Sequence, residues 1–407
     1  MKPLKGIQYF FKHQQMDFEL QFALGGCYYG AGDAGEILST AKRIKDGDFE
    51  SWFGEYYAAA ERVRSIAETC AAQGNRVSAR AAFLRASACY ALANVMVDGS
   101  VDPSRLVPTW KKHRACWDEF CALLAPPAQK VEIPYETVPM PGYFFQPSVG
   151  SGPFPVVIFA NGSDGPTSAM WSSGIAAALE RGYAAFTFDG PGQNALLWLH
   201  HVPFRPDWEK VITPIVDYLF TRKDVDSKRI ALSGISQGGY WVLRAAAFEH
   251  RLAAVIADPG VMDVSRAGAG VLPNQMLELL DAGEEEKFNQ EFTLALRAMG
   301  KAARQNVDFR MKPYCTDSYF RWMSESRKYQ VRDVIARIRS PVFIADPEDE
   351  QFWPGQPREV YEALTCPKTI VRFTAAEGAN WHCEPLARSL YDQRMFDWLA
   401  AALPARQ

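Results

Sequence analysis

No stretch of the sequence approaches the ~20 consecutive apolar residues that a membrane-spanning helix needs. The start, MKPLKGIQYFFKHQQ, lacks the apolar run of a secretory leader. The eight cysteines (Cys27, Cys70, Cys89, Cys116, Cys121, Cys315, Cys366 and Cys383) form no C-x-x-C pair. Scattered this way, they read as free thiols in a reducing compartment, and a cytoplasmic protein is expected. No basic run of five or more residues occurs. Lys and Arg number 44 against 47 Asp and Glu, a net charge of -3, which argues against a nucleic-acid partner. A neutral or weakly charged small molecule is the expected partner. There is no Walker loop, and no nucleotide cofactor is expected. His200 and His201 lack a cysteine or carboxylate companion, so no metal is expected. Internal repeats and low-complexity stretches are also missing.

What is present is an ordinary globular composition, 48% apolar and 22% charged, over 407 residues. That length suits one α/β core with an added helical part. Residues 1 to about 128 carry almost no strand signal. AKRIKDGDFESWFGEYYAAAERVRSIAETCAAQG predicts one helix, with Trp52, Tyr56, Ala59, Val63, Ile66 and Cys70 at spacings of three and four. Gly74 should stop it. RVSARAAFLRASACYALANVMV predicts a second helix and SRLVPTWKKHRACWDEFCALL a third. Helical additions of this kind often cover an active site.

After Pro126 and Pro127 the pattern changes. VEIPYETV and GYFFQPS predict an edge hairpin. Apolar runs at 155–160, 183–190, 229–234, 253–260, 341–346 and 369–375 then alternate with helix-length segments. Near-continuous apolar strands between helices predict a parallel sheet buried on both faces. Residues 261–340 carry no strand signal and predict a second helical lid. The expected division is a helical cap at 1–128 and a catalytic domain at 129–407, with the lid inserted at about 261–335.

The chemistry sits in RIALSGISQGGYWVLRAAAF. An apolar strand runs into Gly234-Ile235-Ser236-Gln237-Gly238 and a helix follows at once, the G-x-S-x-G nucleophile elbow in strand–turn–helix context. The turn lifts the serine hydroxyl off the sheet, and the helix start faces developing negative charge. The order for this elbow is Ser, acid, His. Asp349, just past the strand of PVFIADPEDEQFWP, is the expected acid. Asp346 belongs to the strand end, Glu348 is the nearest alternative, and Glu350 shares the loop. Of six histidines only His382 follows the final strand, which makes it the expected base. The backbone N–H of Gln237 and that of Gly162 or Ser163, from FANGSDGP, should form the oxyanion hole. Asp164 in that loop either contacts substrate or caps the next helix. FDGPGQ should shape the pocket without reacting.

These motifs, taken with GNRVSARAAFLRASACY, PEDEQFWPGQ and EGANWHCEP, resemble the α/β-hydrolase group that holds 2,6-dihydroxypseudooxynicotine hydrolase, the FrsA-like hydrolases and the fungal polyketide-shortening hydrolases. The likeness runs from about residue 18 to 400. It implies an α/β-hydrolase fold, an N-terminal domain closing over the site, and a homodimer. It implies that Arg85 and Tyr90 line the pocket and that an extra acid assists, with Asp258 and Asp263 as candidates. It also implies hydrolysis of a carbon–carbon bond next to a ketone in an aromatic or polyketide-like molecule. An ester or thioester hydrolase with the same residues is the second reading. A non-hydrolytic cyclase or ligand-binding protein is the third.

Overall fold

The computed structural model describes residues 9–267 and 272–403. Residues 1–8 of the segment read for a leader, and 268–271 of the expected lid, lie outside the described residues. Five α-helices precede the first strand: α1 (Gln14–Gly25), α2 (Ala34–Ala41), α3 (Phe49–Ala72), α4 (Arg76–Val95) and α5 (Leu106–Ala122). The second and third expected helices are α4 and α5. The first was drawn too long. AKRIKDGDF does not continue a helix, because Gly47 takes φ +78° and the Asp48 side chain caps Ser51 N at 3.0 Å, starting α3 afresh. At its other end Gly74 takes φ +76° and ends α3 as expected. Helices α1 and α2 were not read from the sequence. Asp33 caps α2 by accepting from Gly35 N at 2.9 Å.

Strands β1 (Gln129–Ile133) and β2 (Met140–Phe145) form the edge hairpin. Then come β3 (Phe154–Ala160), α6 (Ala176–Glu180), β4 (Ala184–Phe188), α7 (Asn194–His200), α8 (Glu209–Thr221), β5 (Val225–Ile235), α9 (Gly238–Ala246) and β6 (Ala254–Asp258). Four helices follow: α10 (Asn274–Asp281), α11 (Glu285–Met299), α12 (Lys301–Met311) and α13 (Tyr319–Ser326). The chain closes with β7 (Val342–Pro347), α14 (Gln356–Ala363), β8 (Lys368–Phe373) and α15 (Arg388–Ala402). The eight strands make one sheet in the order β1-β2-β4-β3-β5-β6-β7-β8. Pairing is antiparallel from β1 through β2 to β4 and parallel from β4 onward.

The period of two along each strand builds two cores. Val156 and Ile158 of β3 face one, with Trp208, Tyr240 and Trp241 from α8 and α9. Val157 and Phe159 face the other, with α15 and, unexpectedly, α3, α4 and α5. Ala59, Ala60, Ala79, Ala82 and Ala86 are fully or almost fully buried there, and their small side chains let α3 and α4 approach closely. Trp117 and Phe120 of α5 complete the contact with Tyr143 and Phe145 of β2. Helices α3, α4 and α5 therefore share the sheet's core, α1 and α2 pack with Trp52 and Tyr56 in a separate cluster, and α10, α11 and α13 form a satellite cluster around Phe288 and Phe292. No helix among the described residues is long and apolar enough to cross a membrane.

Candidate active site

Ser236 sits between the end of β5 and the start of α9 with φ +59°, the left-handed conformation that a non-glycine residue adopts only under constraint. Its N–H donates to Asp258 O at 2.6 Å, which pins the turn to the end of β6. A Cβ at Gly234 would lie 2.3 Å from Gly238 O, so only glycine allows the chain to turn this tightly.

His382 lies in the loop after β8. Its Nε2 is 2.9 Å from Ser236 Oγ. Its Nδ1 is 2.8 Å from Glu350 Oε2 and 3.0 Å from Oε1. Both partners are sealed, at 3% and 7% exposure. Glu350 Oε1 also accepts from the backbone N–H of Phe352 at 2.9 Å and of Trp353 at 3.1 Å. Burial pushes the Glu350 carboxyl up, but the adjoining His382 and these hydrogen bonds outweigh it and hold it below the usual carboxylate range. Phe352 packs edge-on against the imidazole at 4.6 Å, Trp353 lies at 5.7 Å, and Phe18 of α1 stacks at 6.4 Å. The ring is therefore fixed in orientation and shielded from water. An imidazole so placed can accept the serine proton while the carboxylate steadies its charge.

The expected acid, Asp349, is not the one that reaches the histidine. It is exposed, and its Oδ2 accepts from Asn380 Nδ2 at 2.7 Å. Glu348, the nearest alternative, is also exposed and accepts from Ala375 N at 2.8 Å. Asp346 pairs with Arg372 at 2.8 Å and Arg358 at 3.3 Å. β7 runs on through Pro347, and the turn that follows brings Glu350 N back to Pro347 O at 3.4 Å. That turn presents the fourth acid of the run to the histidine. The longer glutamate side chain spans the extra distance.

The loop after β3 passes directly behind the serine. A Cβ on Gly162 would lie 2.8 Å from Ser236 Cβ and 3.2 Å from Ile235 O. The Gly162 N–H is already taken by Asn161 Oδ1 at 2.8 Å, so Gly162 serves close approach rather than donation. The N–H groups of Ser163 and Gln237 make no hydrogen bond among the described residues. Asn161 Nδ2 holds the loop through Gly165 O at 2.7 Å. Gln193, the last residue of FDGPGQ, donates to Gly162 O at 2.7 Å and accepts from Gly190 N at 3.0 Å. That motif thus braces the loop behind the serine.

Ser236 and His382 open into a cavity of about 190 Å³ whose far walls are α1, α2, α3 and α4. Phe18, Phe22, Ile37 and Leu92 give it an apolar lining. Arg85 lines it, paired with Glu36 at 3.0 Å. Tyr90 does not. It is a buried residue of α4 packed against α3, and its hydroxyl donates to Glu61 at 2.7 Å. Asp164 lines the cavity and caps no helix; it pairs with Arg310 of α12 at 2.9 Å. Asp263 caps Ser265 N at 2.9 Å, away from the serine. Asp258 is buried beneath it, paired at 2.9 Å with Arg388, which also donates to Cys383 O.

Among the described residues no group of three or more His, Cys, Asp or Glu is arranged to hold a metal. Gly30-Ala-Gly32-Asp-Ala-Gly35 does spell G-x-G-x-x-G, but it joins a short 3-10 turn to α2 with no strand before it, so it lacks the dinucleotide-binding context. Glu350 was named only as sharing the loop of the expected acid, and Phe18, Asn161 and Gln193 were not singled out in the sequence. For Phe18 the missing signal is α1 itself, which was not predicted.

The described geometry agrees with what the chain is similar to. A hydrolase designated LUC6 from a Fusarium species is 35% identical over 399 residues, covering 94% of this chain and 95% of its own. The 20-hydroxy-prefusarin hydrolase FUS2 of Gibberella moniliformis is 34% identical over 266 residues, 63% of each chain. The crystal structure of 2,6-dihydroxy-pseudo-oxynicotine hydrolase superposes with a TM-score of 0.74 over 93% of this chain and 95% of that one, at 22% identity. Residues 157–405 match the alpha/beta hydrolase family. With that match, a relative this similar along nearly its whole length, and the strand order of the sheet, the chain belongs to the alpha/beta hydrolase family.

Proposed function

We propose that the protein is a serine hydrolase that cleaves the carbon–carbon bond next to a ketone in an aromatic or polyketide-like small molecule. The observation that carries the serine chemistry is the Ser236–His382–Glu350 relay, its histidine and glutamate buried, which opens into a largely apolar cavity. The choice of bond rests on the resemblance of the N-terminal and core motifs.

In this reading Ser236 Oγ attacks the ketone carbon as its proton passes to His382 Nε2. The tetrahedral oxyanion takes hydrogen bonds from the N–H groups of Gln237 and Ser163. Collapse breaks the carbon–carbon bond. Its electron pair leaves as an enolate or a stabilised aryl carbanion, which takes the proton from the imidazolium. Water, deprotonated by His382, then attacks the acyl-serine and releases a carboxylic acid. Glu350 stays ionised throughout and stabilises the imidazolium.

The test is turnover of aryl 1,3-diketones and matched aryl esters by the wild type and by Ser236→Ala. Diketone cleavage that disappears in the variant supports the proposal. Cleavage of esters alone reduces the protein to an esterase. Turnover that survives Ser236→Ala removes the serine mechanism, and turnover of neither class by the wild type leaves a narrower natural substrate, a cyclase or a binding protein.

A further inference from the structure

The wall facing the catalytic pair carries an acidic side chain that the reaction above does not use. Glu19, on α1, lines the same cavity as Ser236 and His382. Its chain neighbour Phe18 stacks on His382 and lies 6.1 Å from Phe352. Among the described residues Glu19 has neither a hydrogen bond nor an ion pair. The cation that opposes its charge, Arg310, is committed elsewhere. Arg310 pairs with Asp164 at 2.9 Å, approaches Ser163 Oγ at 3.4 Å and covers the Phe352 ring at 5.6 Å. Glu19 is half-buried, and a carboxylate without a partner at this largely apolar cavity wall is costly unless it is neutral or has a ligand to bind.

The groups around it favour neutrality. Burial, then the neighbouring Asp164 charge, push the Glu19 carboxyl up to about 8, with Arg310 opposing. Tyr56 of α3 adds no cation; Glu36, Arg62 and Arg85 also line the cavity, with Arg85 paired to Glu36. At neutral pH such a group is a hydrogen-bond donor.

We propose that Glu19 is a specificity-determining residue, which as a neutral carboxylic acid donates a hydrogen bond to a second carbonyl oxygen of the substrate, one bond or more beyond the carbonyl that Ser236 attacks. The substrate class is then an uncharged dicarbonyl compound. A substrate carrying a carboxylate at that position would face Asp164 and be disfavoured. This rests on the serine-hydrolase reading, because the second carbonyl is placed relative to the serine.

The experiment compares kcat/KM for 3-oxoacyl aryl esters with that for the matching plain acyl esters, from pH 6 to 10. It uses the wild type, Glu19→Gln and Glu19→Ala. The wild type should prefer the 3-oxoacyl ester, and that preference should fade as pH rises through about 8, where Glu19 ionises and ceases to donate. Glu19→Gln keeps an N–H donor, so it should retain the preference and lose its fading at high pH. Glu19→Ala should lower the preference about tenfold or more at neutral pH, the scale of one hydrogen bond whose loss leaves a group unpaired. A preference that is equal in all three proteins, or that still fades in Glu19→Gln, overturns the proposal while leaving the serine chemistry intact. Ester turnover insensitive to Ser236→Ala overturns both together.

Discussion

Glu350 Oε2 lies 2.8 Å from His382 Nδ1, whereas Asp349, one residue earlier, turns outward to Asn380. The two acids are chain neighbours with opposite fates, and this separates their mutants. Glu350→Gln keeps the volume but removes the negative charge and allows the wrong tautomer of His382. Its kcat should fall by about 10³–10⁴-fold. Asp349→Asn keeps an oxygen to accept from Asn380 and should stay within about threefold of the wild type. Steady-state turnover of any accepted substrate decides it. The reverse ranking would return the acid's role to Asp349.

Gly162 is expected to be intolerant of the smallest side chain for a reason unrelated to folding. An added Cβ meets Ser236 Cβ at 2.8 Å, closer than such atoms come, so the loop or the serine must retreat. In the proposed mechanism, displacing the loop also moves Ser163 N–H away from the developing oxyanion. Gly162→Ala should lose about 10²-fold in kcat, the scale of one misplaced donor. Thermal unfolding should change little, since the loop lies at the cavity wall. Unaltered kcat in a folded variant would show that the loop does not press on the serine.

Beneath the site, the Arg388 guanidinium sits among Asp258, Glu384 and Asp392, all four buried. Burial raises the Asp392 carboxyl to about 6, against the pull of Arg388 and a 2.7 Å hydrogen bond from Tyr29 Oη. The folded state thus binds this proton more tightly than the unfolded chain, whose aspartates titrate near 4. The contribution to stability is full below about pH 4 and is lost as pH rises through about 6, a fall of up to about 3 kcal/mol. Asp392→Asn keeps an acceptor for Tyr29 and removes the titration. Urea unfolding should show a flatter stability curve between pH 4 and 7 in the variant. Parallel curves would place the proton elsewhere in the cluster.

Much of the fold was legible because its signals are local. Apolar runs bounded by turn residues marked β3 to β8, and two short segments after Pro126 and Pro127 marked the hairpin of β1 and β2. Ser236 announced itself through the glycines that its turn requires, and His382 through its place after the last strand. α1 and α2 escaped because their patterns are short and their stability comes from packing on neighbours that are distant in sequence. The end of β7 and the loop after it offered four acids within five residues, and no local pattern shows which one reaches the histidine.

By itself, then, the sequence determined the alternation that makes a doubly covered sheet, the elbow that exposes Ser236, and the chain order of serine, acid and histidine. Those features depend on backbone sterics and on periodicities of two and 3.6, which act between near neighbours. Only the tertiary structure decided that Glu350 meets the imidazole, that Tyr90 is a packing residue, that Gly162 yields space instead of a hydrogen bond, and that Glu19 faces the cavity unpaired. Each of these depends on where a side chain points after residues tens to hundreds of positions apart have packed. A difference of one residue along a turn reverses the direction of a carboxylate without altering any local pattern.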